Sequence, residues 1–119
     1  VNMVNAFDKG LRKQVLTIAD ANDIHLSKGV YGWMCGPQFE TPAEINVLKI
    51  LGVNAAGMST VPETILARQQ KMKVMALSVI TNYAAGMDDG ELSHEQTIKY
   101  ADKASQTFKT ILTEFIKHY

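Results

Sequence analysis

Phe39 and Glu40 set an aromatic ring and a carboxylate just ahead of a helix start, in the run Gly36-Pro37-Gln38-Phe39-Glu40-Thr41. An aromatic side chain packs against flat rings, and a carboxylate accepts hydrogen bonds from ring N–H groups. A second junction, Gly57-Met58-Ser59-Thr60-Val61-Pro62-Glu63, places two hydroxyls before a proline suited to a first helical turn. Hydroxyls beside the N–H groups of a helix start make an anion site. A third apolar stretch ends in Ser78-Val79-Ile80-Thr81-Asn82 and adds a carboxamide. If three strands precede these junctions as parallel neighbours, their C-terminal ends share one edge of the sheet, where open α/β sheets bind ligands. Together the residues suit a flat, hydrogen-bonding heterocycle next to a phosphate.

The elements that must position them read as α-β-α-β-α-β-α. Asp8 to about Asn22 is a predicted helix with Leu11, Val15 and Ile18 on one face. Gly29 to Cys35 is the first strand, apolar on both faces and expected to be buried. Thr41, Pro42 and Glu44 form a capping box with proline at the first helical position, and Gly52 closes that helix as its C′ residue. Asn54 to Gly57 is a short strand, Pro62 to about Lys71 a helix, and Lys73 to Thr81 a second buried strand. The loop Asn82 to Leu92 holds Asp88-Asp89, and Ser93 with Gln96 repeats the capping box. A final helix from about His94 to Lys117 carries the stripe Ile98, Ala101, Ala104, Phe108, Ile111, Leu112 and Phe115. The alternation predicts an α/β fold, with helices on both faces of a sheet.

The 119 residues are one domain's worth of chain, and 46% hydrophobic with 20% charged is ordinary globular composition. Twelve basic residues balance twelve acidic ones, so no electrostatic footprint for nucleic acid or an anionic membrane is present. The longest apolar run, Val74 to Ile80, is too short to span a bilayer. A single cysteine, Cys35, cannot form an internal disulfide, which fits a reducing cytoplasm. The three histidines are scattered and suggest no metal site, and no glycine-rich nucleotide fingerprint occurs.

GPQFETPAE, GMSTVPE and ITN, in this order and spacing, resemble the C-terminal part of the trimeric-type purine nucleoside phosphorylases. The resemblance runs from about Met3 to the C-terminus and covers less than half of such an enzyme. It implies a nucleoside phosphorylase-like α/β fold, here an incomplete C-terminal portion over residues 1–119, with a mixed or parallel sheet. It implies an enzyme that converts purine (deoxy)ribonucleosides and inorganic phosphate into free base and (deoxy)ribose 1-phosphate. Inosine and guanosine are the expected substrates, a xanthosine-accepting relative being the close alternative. The working assembly would be a homotrimer in the cytoplasm without a resident cofactor. By resemblance Glu40 and Asn82 hold the base and act in catalysis, Phe39 and Met58 shape the base and ribose pocket, His94 reaches the ribose 5′-hydroxyl, and Ser59 meets phosphate. The family's principal phosphate ligands would lie outside this chain, so a non-catalytic binding module is the reading from a different class.

Each residue also has a plainer role. Glu40 is a helix-start acid complementing the dipole, Asn82 a turn residue after a strand, and Ser59 a helix-start hydroxyl. Phe39 and Met58 fit a core equally well, and His94 fits an exposed surface. Thr81 either helps place the base or is an ordinary strand residue, while Tyr31, Trp33 and Cys35 fit the interior of the first strand.

Overall fold

The structure, a computed structural model, describes residues 1–87 and 93–119. Its elements are α1 (Lys9–Ala21), β1 (Tyr31–Trp33), α2 (Pro42–Ile50), β2 (Ala55–Gly57), α3 (Val61–Gln69) and α4 (His94–Lys117). They fall into two compact units. The first comprises Val1–Ser27, Thr60–Ser78 and Ala104–Tyr119, the second Lys28–Ser59 and Val79–Lys103.

In the first unit Asp8 caps α1, its carboxylate accepting from the Leu11 N–H at 2.9 Å. That bond holds the Asp8 carboxyl below its ordinary range. Val15, Ile18 and Ala19 are buried, as the helical spacing requires, and Leu11 is half-buried. Ile111 of α4 is buried, while Ala104, Phe108, Leu112 and Phe115 are half-buried. Gln14 on α1 donates to the His118 carbonyl at 2.9 Å, which ties the first helix to the C-terminus. The predicted stripe fails at its N-terminal end, where Ile98 and Ala101 are exposed. Those two residues lie on the part of α4 that belongs to the second unit.

The second unit is built on the only sheet among the described residues. β1 and β2 pair in parallel with Tyr31 opposite Ala55 and Trp33 opposite Gly57. Asn54 sets this register. Its side chain accepts from the Val30 N–H at 2.8 Å, and its own N–H donates to the Val30 carbonyl at 2.9 Å. Leu48 of α2 and Val53 lie against Gly32 of β1, so the helix that follows the strand folds back onto it.

The predicted capping box of α2 is present. The Thr41 hydroxyl accepts from the Glu44 N–H, and the Glu44 carboxylate accepts from the Thr41 N–H at 2.7 Å. Gly52 closes the helix at φ +79°, its N–H donating to the Lys49 carbonyl. The Thr41 N–H, and next the Thr41 hydroxyl, lower the Glu44 pKa. A depressed carboxylate stabilises the fold above its unfolded value and loses that contribution as pH falls through the folded one. Thr41→Ala is therefore expected to cost about 0.5–2 kcal/mol of stability at neutral pH. The same change should flatten the acid-side decline below the ordinary glutamate range. Urea denaturation at neutral and acid pH measures both, and an unchanged neutral midpoint would count against the cap.

Three expectations need correction. Lys73 to Thr81 forms no strand, and most of it is exposed. The composition supplies β propensity, but a strand exists only when a neighbour completes its ladder, and among the described residues none does. The first strand is three residues long rather than seven, and it is not buried on both faces: Trp33 is 42% exposed and Cys35 is exposed. With one neighbour and a short ladder, little covers its outer face. Finally, α3 starts at Val61 after Thr60 at φ +76°, and ends before Lys71 at φ +60°. Positive φ is costly for a β-branched residue, and sequence patterns favour glycine there. The Asp88-Asp89 pair and the side chain of Gln96 lie outside the described residues.

Candidate active-site junctions

The parallel register sends the chain out of β1 and β2 at the same edge. The Met34 N–H donates to the Gly57 carbonyl at 2.9 Å, which carries the pairing one residue beyond Trp33. The two junctions singled out in the sequence then meet. Gly36 adopts φ +65°, and Met58 packs over it so closely that a Cβ there would lie 2.6 Å from the Met58 Sδ. Glycine is required at this position twice over, for its left-handed backbone and for the close approach of the thioether.

The segment beyond the third junction reaches the start of α2. Gly86, also at positive φ, sits against the Pro42 ring at the start of α2. Four residues beyond Asn82 the chain thus touches the helix start that follows Phe39 and Glu40. All six predicted site residues belong to the second unit.

Their individual settings differ. Glu40 is half-buried and Phe39 is 42% exposed. The capping box of α2 uses Glu44, as expected, and the Glu40 carboxylate has no hydrogen bond or ion pair among the described residues. Met58 is 41% exposed, so it is not core filling, and its sulfur rests on Gly36. Ser59 is exposed at the end of the second unit's strand β2 junction. His94 is the first residue of α4, and its side chain lies outside what the structure describes.

Asn82 is half-buried and held at both ends of its amide. The Thr81 hydroxyl donates to Oδ1 at 2.7 Å, and Nδ2 donates to the Tyr83 carbonyl at 2.9 Å. An amide nitrogen carries two hydrogens, so one N–H remains for another acceptor. Thr81 thus acts on the neighbouring carboxamide. The adjacent hydroxyl and amide in the sequence hinted at such a bond but could not give its direction. Among the described residues no group of His, Cys, Asp and Glu is placed to hold a metal ion, and no helix is long and apolar enough to cross a membrane.

The contact between Gly36 and Met58 gives a direct test of the geometry. Gly36→Ala forces an L residue into the left-handed region at about 1–2 kcal/mol and displaces Met58. Urea denaturation should show the loss, and the Met58 methyl resonance should shift in a ¹³C-methyl NMR spectrum. An unmoved methyl signal would mean that the two junctions do not touch in solution.

The same chain path occurs in known proteins. The family model described as Phosphorylase superfamily matches residues 1–117. Purine nucleoside phosphorylase 1 of Bacillus subtilis is 39% identical over 118 residues, covering 99% of this chain and 44% of that protein. The structure of Schistosoma mansoni purine nucleoside phosphorylase in complex with inosine superposes with a TM-score of 0.92 at 31% identity, over 99% of this chain and 43% of the other. Isoform 2 of that enzyme, in complex with cytosine and ribose-1-phosphate, gives 0.90 at 36% identity over 97% and 42%. The chain spans less than half the length of these relatives. With its α/β elements, its parallel strand pair and this match over nearly every residue, the chain belongs to the phosphorylase superfamily.

Proposed function

We propose that this chain forms the base- and ribose-binding part of a purine nucleoside phosphorylase, acting on 6-oxopurine nucleosides such as inosine and guanosine. The observation that carries the reading is the meeting of the first two loop junctions in the second unit, Met58 on Gly36, with Gly86 beyond the third resting on Pro42. The whole-chain similarity to purine nucleoside phosphorylases, one of them in complex with inosine, supports it.

In this reading Glu40 accepts the N1–H of a 6-oxopurine and, in guanine, a hydrogen of the 2-amino group. Asn82 donates its remaining Nδ2–H to N7. Phosphate attacks C1′ as the glycosidic bond lengthens; the bond's electron pair leaves with the purine, and the sugar passes through an oxocarbenium-like state. Negative charge grows on the base during this step, so the Asn82 N–H binds the transition state more strongly than the substrate. Phe39 and Met58 pack against base and ribose, His94 meets the 5′-hydroxyl, and Ser59 donates to phosphate. Inorganic phosphate is the co-substrate and no resident cofactor is needed. The working enzyme is a cytoplasmic trimer.

Asn82→Asp tests the assignment in a phosphorylase of the relatives' full length that contains this chain. A protonated aspartate still donates to N7, and an ionised one accepts from the exocyclic amine of adenine. Glu40 continues to disfavour adenine, which lacks N1–H, so the shift should be partial. The ratio of kcat/KM for adenosine over inosine should rise. A ratio that is unchanged or lower would remove Asn82 from base recognition.

A further inference from the structure

A glycine inside a strand weakens it, because it has no side chain to pack and loses more backbone freedom than other residues. Gly57 nevertheless ends β2, and its φ is not in the left-handed region that favours glycine. The reason lies across the strand pair. In the parallel register Tyr31 faces Ala55 and Trp33 faces Gly57, so these four positions share one face of the sheet. Gly32, between Tyr31 and Trp33, turns to the other face, against Leu48 and Val53. The Tyr31 ring leans along the strand toward Gly57. A Cβ on Gly57 would collide with the Tyr31 hydroxyl and lie 3.1 Å from Cζ. Glycine at 57 therefore makes room for the outer end of the Tyr31 side chain.

That end is a hydroxyl with no hydrogen bond among the described residues. Tyr31 is half-buried, yet its oxygen is not closed off from solvent. A phenylalanine ring would pack on the same face and need less room at Gly57, so packing alone gives no reason for the oxygen. The hydroxyl lies at the level of Gly57, one residue before Met58, at the edge where the chain leaves both strands. We propose that the Tyr31 hydroxyl is a further substrate contact, hydrogen-bonding the 2′- or 3′-hydroxyl of the bound pentose. The inference rests on the proposed phosphorylase activity, in which Met58 packs on the ribose while Glu40 and Asn82 take the base. A phenol both donates and accepts, which suits a sugar hydroxyl that does the same. Tyr31 then helps to set the preference between ribosyl and deoxyribosyl substrates, because a group placed to bond a hydroxyl discriminates against the analogue that lacks it.

The experiment is Tyr31→Phe in a phosphorylase of the relatives' full length that contains this chain, assayed with inosine, 2′-deoxyinosine and 3′-deoxyinosine. The kcat/KM for inosine should fall about 3- to 10-fold, the range of one neutral hydrogen bond. With the deoxynucleoside that lacks the contacted hydroxyl, parent and variant should be equal, while the other deoxynucleoside loses as much as inosine. The unfolding temperature should hold; a fall would mean that the oxygen is bonded inside the protein and would overturn the proposal. Equal losses on all three substrates, or no loss on any, also overturn it and leave the activity standing. A parent that releases no hypoxanthine from inosine overturns the proposed activity, and this contact with it.

Discussion

Replacing Glu40 with alanine in a full-length phosphorylase that contains this chain should lower kcat/KM for inosine and guanosine by about 10- to 100-fold. A hydrogen bond to a charged group is worth roughly 1.5–3 kcal/mol, and every 1.36 kcal/mol is tenfold in rate. Helix α2 is already capped by Thr41 and Glu44, so the variant keeps that helix start intact. Stability should therefore change little, and a collapse of activity could not be attributed to unfolding. Thermal denaturation run beside steady-state kinetics separates the two. Glu40→Gln is a useful companion, since a carboxamide can still accept through its oxygen and should retain part of the activity. A kcat/KM within twofold of the parent would sink the base-holding role.

The contrast between Glu40 and Glu44 shows what the sequence could and could not convey. Thr41, Pro42 and Glu44 announced the cap because each satisfies a backbone group at fixed spacing, and Gly52 announced the stop for the same reason. Local rules of this kind are readable one residue at a time. The parallel pairing of β1 and β2 was legible as well, from two short apolar runs separated by a helix. Lys73 to Thr81 was misread because β propensity belongs to a segment whereas a ladder belongs to two, and no described residue supplies the second. The exposure of Trp33 has the same origin. Thr60 illustrates the opposite failure: its positive φ contradicts its own propensity, and no local pattern encodes it.

At the site, residue types were legible and their relations were not. That Asn82 would be held by the hydroxyl before it and the carbonyl after it depends on side-chain rotamers at a turn. That Met58 would rest on Gly36 depends on two segments twenty-two positions apart being brought to one edge by β1 and β2. The motif spacing suggested the meeting, and the parallel register brings it about.

The 119-residue chain by itself is expected to bind purine weakly and to show no significant phosphorolysis. Phe39, Glu40, Met58 and Asn82, the residues proposed to meet the base, all belong to one compact unit. Phosphate is the difficulty. Attack on C1′ requires the nucleophile fixed in line with the departing base, and a misplacement of about 1 Å can cost ~10²-fold. Ser59 is exposed at the unit's edge and offers a hydroxyl in place of a cationic or multidentate clamp. By the family resemblance the stronger phosphate ligands belong to the portion of the relatives that this chain does not span. Without them the chain can lower the cost of placing the base but not that of placing the nucleophile. The measurement is hypoxanthine release from inosine and phosphate by the purified chain, with titration of hypoxanthine by calorimetry as a check on base binding. Turnover near ~10 s⁻¹, a typical enzyme value, would show that the site is complete within these residues and that phosphate is held by groups assigned here to other work.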